Sequence, residues 1–118
     1  MPRVENELVC DDGSPLKAFA AGLRRRRAAT GRTYRELAAG AHYSHTNLVR
    51  AASGRTLPTW ELASAYLVAC GASERELSGW YDVWTAIDAL PRTRRHYAPA
   101  EVAVVLARIN ALSGGVHA

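Results

Sequence analysis

No run of apolar residues in this 118-residue chain is long enough to cross a bilayer. The opening residues also lack the charged, apolar and small-residue succession of a secretory signal, so a cytoplasmic protein is expected. Cysteine is scarce. Cys10 and Cys70 lie far apart without metal-ligand spacing, and Cys70 falls on an apolar helix face, as a reduced core residue does. His42 and His45 lack further ligands, so no metal site is expected. There is no Gly-rich phosphate loop, no nucleophile elbow and no paired metal motif. The acids are scattered over caps and surfaces, which assembles no acid–base pair. An enzyme is therefore not expected, and neither is a cofactor or small-molecule ligand. Internal repeats and low-complexity tracts are missing too.

Acidic residues are nearly missing from one long stretch. Residues 17–60 carry nine basic residues (Lys17, Arg24, Arg25, Arg26, Arg27, Arg32, Arg35, Arg50 and Arg55) against one acid, Glu36, a net +8. The remainder carries six basic residues against ten acids, a net −4. A positive field so concentrated suits a polyanionic partner.

β-branched residues are sparse outside 102–105, whereas Ala and Arg are heavily used, which favours helices throughout. Residues 1–13 carry four acids and no sustained periodicity, as a loose N-terminal arm does. Ser14 followed by Pro15 is an N-cap and N1 pair, and predicts a first helix from Pro15 to about Ala29, with Leu16, Phe19 and Leu23 facing inward and Gly31 as its C-cap. Thr33 with Glu36 forms a capping box for a second helix, whose apolar stripe is Leu37, Ala38 and Ala41. After a short turn Ser44 caps a third helix carrying Leu48, Ala51 and Ala52. Small residues at Ala38 and Ala51 let two such helices approach closely. Between the apolar positions of the third helix stand His45, Thr46, Asn47 and Arg50, side chains able to read base edges. Residues 33–54 thus read as a helix-turn-helix inside the positive stretch, and duplex DNA is the expected partner.

Thr59 caps a fourth helix reaching Cys70, with Leu62, Ala63, Tyr66 and Leu67 at core spacing. Ser73 and Glu76 form a second capping box, opening a fifth helix to about Leu90 with a stripe of Leu77, Trp80, Tyr81, Trp84 and Ile87. Helical spacing marks that aromatic stripe as core, with Trp60 as a further anchor. A basic linker (Arg92, Arg94, Arg95, His96) offers either phosphate contacts or a soluble hinge. It leads to a sixth helix from about Pro99 to Ser113, whose Val102, Val105, Leu106, Ile109 and Leu112 form one apolar side. That side must be buried on Trp80 and Trp84 or against a twin, and a homodimer suits two-fold DNA sites. The organisation expected is an arm at 1–13, a helix-turn-helix domain at 14–90, and a linker with a possible dimerisation helix at 91–118.

The segments LRRRRAATGRTYRELAAGA, YSHTNLVRAASGRTLPTWE and AYLVACGAS resemble the Cro and phage-repressor-like (XRE) helix-turn-helix family, especially its actinobacterial regulators. The resemblance implies an all-α fold, a compact five-helix repressor-like domain plus the C-terminal helix. It places the third helix in the major groove and the second across the backbone. Carried over by position, Ser44, His45, Thr46, Asn47 and Arg50 face the bases. Thr33, Tyr34, Arg27 and Arg55 are the expected phosphate contacts. Arg50 has the strongest claim to specificity, because a guanidinium grips guanine O6 and N7 with two bonds. Two departures stand out. His42 takes the turn position where relatives carry Gly, which calls for a left-handed backbone there. Ala52 takes the place of an acid that elsewhere pairs with the late arginine of the first helix, leaving Arg27 to face DNA.

The function expected is a sequence-specific DNA-binding transcriptional regulator, a repressor associated with the nucleoid. A protein-interaction module (adaptor or antitoxin-like) and DNA binding for plasmid or chromosome maintenance are the alternatives.

Overall fold

The computed structural model describes residues 14–96 and 103–112, which form six α-helices and one 3₁₀ turn and contain no strand. The fold is all-α, as expected. The N-terminal arm and the predicted start of the sixth helix at Pro99 lie outside the described residues.

Helix α1 (Pro15–Thr30) begins where the sequence places it. Ser14 is extended, its hydroxyl accepts from the Lys17 amide at 3.1 Å, and Pro15 occupies the first turn, where its missing N–H costs nothing. At the other end Gly31 turns left-handed, with φ 73°, and its N–H closes onto the Ala28 carbonyl. Leu16, Phe19, Ala20 and Leu23 recur at helical spacing and are buried. α1 is the post on which α4 (Trp60–Ala69), α5 (Glu74–Asp88), the 3₁₀ turn Arg92–His96 and α6 (Ala103–Leu112) all lean.

Thr59 caps α4 by accepting from Leu62 N at 3.2 Å, and α5 opens with the predicted capping box. Ser73 N donates to Glu76 Oε1 at 2.8 Å, while Ser73 Oγ accepts from Glu76 N at 3.2 Å. That backbone bond, with Arg26 nearby, holds the Glu76 carboxyl below its ordinary range. Cys70 is half-buried just past α4, and burial pushes its thiol up to about 11 despite Arg26, Arg27 and Arg32. It stays protonated near neutrality, as an unreactive packing residue does.

The buried side of α5 differs from the predicted stripe. Trp80, Val83 and Ile87 are buried, Leu77 and Trp84 are half-buried, and Tyr81 is exposed. Tyr81 instead stacks on Trp84 and meets Trp60 edge-on at 5.1 Å, forming an aromatic layer outside the core. Trp84 Nε1 is satisfied by the Pro58 carbonyl at 2.8 Å. Trp80 points the other way and meets Phe19 edge-to-face at 5.5 Å.

The sixth helix packs in cis. Ile109 is fully buried and Leu112 half-buried, with α6 lying against α1 and α5. Two glycines make the seat. A Cβ at Gly22 would stand 2.8 Å from the Trp80 ring and 3.3 Å from Ile109, and one at Gly79 would stand 2.8 Å from Leu112. Of the two burials open to the apolar side of α6, on Trp80 and Trp84 or against a twin, these contacts show the first for Ile109 and Leu112. The side chains of Val102, Val105 and Leu106 lie outside the described residues.

Gly22 therefore sits in a helix for the space it leaves. Gly22→Ala gains up to ~1 kcal/mol of helix propensity, but forcing a methyl against an indole in a packed core costs about 1–3 kcal/mol. A lower urea midpoint is expected. Gly40→Ala, with nothing within 4 Å of its added methyl, is expected to shift the midpoint upward. Equal shifts for the two variants would contradict the seat.

Candidate nucleic-acid interface

Thr33, extended, opens helix α2 (Tyr34–Gly40) with a reciprocal box: Thr33 N donates to Glu36 Oε1 at 2.7 Å, and Glu36 N donates to Thr33 Oγ1 at 3.1 Å. Leu37 is buried one turn later. The chain leaves α2 through Ala41 in extended conformation, with φ −115° and ψ 150°. The left-handed residue expected at His42 is not there. Among the described residues only Gly31, Gly54 and Gly71 have positive φ, and the turn is made with ordinary backbone that His42 adopts without strain. Ser44 then caps α3 (His45–Ala51), its hydroxyl accepting from the Asn47 amide at 3.2 Å.

α2 and α3 pack on each other and both rest on α4. Leu48, Ala51 and Ala52 are buried, so the opposite side of α3 is fixed outward. Ser44, Thr46 and Arg50 are exposed, and His45 and Asn47 are half-buried. The five expected reading residues thus fall on one cap and one short helix, though not equally free. Val49, at 36% exposure, stands beside Arg50 and was not singled out from the sequence. Its signal was available: an apolar residue off the Leu48–Ala51–Ala52 spacing has no core to enter. An exposed valine there suits the methyl of thymine. Val49, Arg50 and Ser53 border a groove that continues to Arg55 and Thr56.

A family model described as a helix-turn-helix domain matches residues 18–80. The chain belongs to the helix-turn-helix domain family. Searches of curated proteins and of solved structures give no match. The matched span contains α2, the turn, α3 and nearly all the positive surplus, and the family assignment supports DNA as partner.

Within this helix-turn-helix domain the run Arg24 to Arg27 is put to several uses. Arg24 Nε donates to the Ala52 carbonyl at 2.8 Å, setting a guanidinium at the C-terminal end of α3, where exposed carbonyls favour a cation. Arg26 pairs with Glu76 at 3.5 Å. Arg27, expected to face DNA for want of a partner, is engaged in the fold: Nη1 donates to the Arg32 carbonyl at 2.6 Å, and the guanidinium lies 4.7 Å from the Tyr34 ring centroid. Tyr34 is likewise turned inward, its hydroxyl 3.1 Å from that of buried Tyr66. Of the four expected phosphate contacts, Thr33 and Arg55 are exposed, while Arg27 and Tyr34 are half-buried and tie α1, α2 and α4 together. Among the described residues no group of three or more His, Cys, Asp or Glu converges as a metal site would.

Where the resemblance implies an acid paired with Arg27, the structure has the Ala52 carbonyl accepting from Arg24. Arg24→Met is expected to lower stability by about 1–2 kcal/mol, since it removes a charged donor from a partly buried acceptor. Amides of α3 should exchange faster in native-state hydrogen exchange. Unchanged α3 exchange in that variant would show that the clasp does not hold the helix.

Proposed function

We propose that this protein is a sequence-specific double-stranded DNA-binding regulator of the Cro and phage-repressor-like kind, close to the actinobacterial regulators that its sequence resembles. The observation that carries the reading is the outward edge of α3. Ser44, Thr46, Val49 and Arg50 face solvent beside Arg55, on a helix whose other side is locked into the core. A helix held in this way presents a fixed set of donors and methyls to the major groove. His45 and Asn47 complete the reading set from its margins. Arg55 and the exposed Thr33 hold the backbone, and Arg27 and Tyr34 set the position of α2 from inside.

Repression follows from occupancy, because a domain seated in the groove of an operator blocks whatever else must bind there. The 14–90 segment is the DNA-reading domain, and 91–118 is the part that stabilises it through α6. Two copies on a two-fold operator remain part of the proposal. Their contact is a surface other than the Ile109 side of α6, which α1 and α5 already cover. The site of action is the nucleoid, in the cytoplasm.

Selecting bound duplexes from a random pool yields the operator, and fluorescence anisotropy then measures affinity against salt. A log–log slope of about −0.9 per neutralised phosphate is expected. Arg50→Ala should cost about 1–3 kcal/mol on the operator and little on random duplex, whereas Arg55→Ala should weaken both alike. Equal losses on both duplexes for Arg50→Ala would remove it from base reading. Failure to bind any duplex at low salt would overturn the proposal and leave the protein-interaction reading, adaptor or antitoxin-like. A selected motif with no promoter context would point to plasmid or chromosome maintenance.

A further inference from the structure

The 3₁₀ turn Arg92–His96 lies beyond the matched helix-turn-helix span, yet the fold brings it back beside the loop that follows α3. Leu16, Arg55, Thr56, Leu57, Arg92 and Arg95 line one cleft of about 220 Å³. No acid lines it. Arg55 and Thr56 also border the groove that begins at Val49 and Arg50. The two depressions therefore share Arg55 and Thr56 as a wall, with Arg50 lining one and Arg92 the other.

The turn is held there by its own bonds. Buried Ser14, already the N-cap of α1, donates its hydroxyl to the Arg95 carbonyl at 3.0 Å. Arg95 in turn is spent on anchoring: Nη2 reaches the Asp88 carbonyl at 2.9 Å and its carboxylate at 3.5 Å, and Nε reaches the Leu90 carbonyl at 3.3 Å. With Arg95 so occupied, Arg92 is, among the described side chains of the turn, the exposed cation. A guanidinium on a fixed turn loses less freedom on binding than one on a loose linker, and its planar fork matches phosphate oxygens.

We propose that Arg92 is a DNA-backbone contact outside the helix-turn-helix, extending the phosphate track from Arg55 onto the C-terminal turn. The inference rests on the DNA-binding reading above. Its ligand chemistry is a phosphate oxyanion, and the duplex backbone is its source. The Ser14–Arg95 bond and the Asp88 pair are the latch that sets the turn against α1, so the register of the extra contact is built into the start of the first helix.

The test compares wild type, Arg92→Ala, Arg92→Lys and Arg55→Ala in the full chain, on a fluorescein-labelled mixed-sequence duplex over a range of salt. Arg92→Ala is expected to bind severalfold more weakly, with a salt slope shallower by about 0.9, while Arg92→Lys keeps most of the slope. Thermal unfolding of Arg92→Ala should match wild type, since the side chain is exposed. If wild type binds the duplex and Arg55→Ala flattens the slope but Arg92→Ala does not, this inference fails and the DNA-binding reading stands. If wild type binds no duplex, both fall. Inorganic phosphate at matched ionic strength supplies the other arm. If it raises the melting temperature of wild type and not of Arg92→Ala, with duplex slopes equal, the cleft is a free-anion site and the backbone assignment is overturned.

Discussion

A helix of seven residues is too short to hold itself in water, and this fold contains two of them at the place that matters most. Neither α2 nor α3 has enough hydrogen bonds to offset the cost of nucleation, so their shape and direction are imposed from outside. Caps fix where they start: Thr33 with Glu36, and Ser44. Leu37, Leu48, Ala51 and Ala52 fix which way they face. The Arg24 guanidinium fixes where α3 ends. Each device is small, and together they turn two marginal helices into a rigid corner.

The same economy governs the charges. A run of four arginines invites a reading as a phosphate brush, yet Arg24, Arg26 and Arg27 reach into the fold: to the end of α3, the start of α5 and the Arg32 carbonyl. Part of the positive surplus is therefore structural, and the charges presented outward are fewer and better placed. Arg50 and Arg55 stand on the far side of the buried stripe, where a duplex can approach without disturbing the core. Loss of an inward arginine acts through the position of α3, and loss of an outward one through the contact itself.

Much of this was legible in the sequence because it is local. Capping boxes span three residues, glycine C-caps one, and apolar stripes a few turns, so the start of every helix from α1 to α5 and the cap at Gly31 stand where the residues place them. What escaped is long-range. Arg24 meets Ala52 across 28 positions, and Ser14 meets Arg95 across 81. Nothing local marks Gly22 and Gly79, and only the packed structure shows them as the seat that draws α6 onto its own domain. Tyr81 shares helical spacing with true core residues but falls on the flank, where Trp60 and Trp84 shield it only in part. The left-handed backbone that the resemblance implied at His42 is absent, because the turn is made without positive φ.

On the proposed reading, DNA lies along the outward edge of α3, continued by Arg55. Amide chemical-shift mapping of the isotope-labelled full chain during titration with its selected duplex tests it most directly. The largest shifts are expected on residues 44–50, on Arg55 and at the start of α2, with the Trp60–Tyr81–Trp84 layer unmoved. Shifts centred on that aromatic layer, with residues 44–50 unchanged, would contradict it.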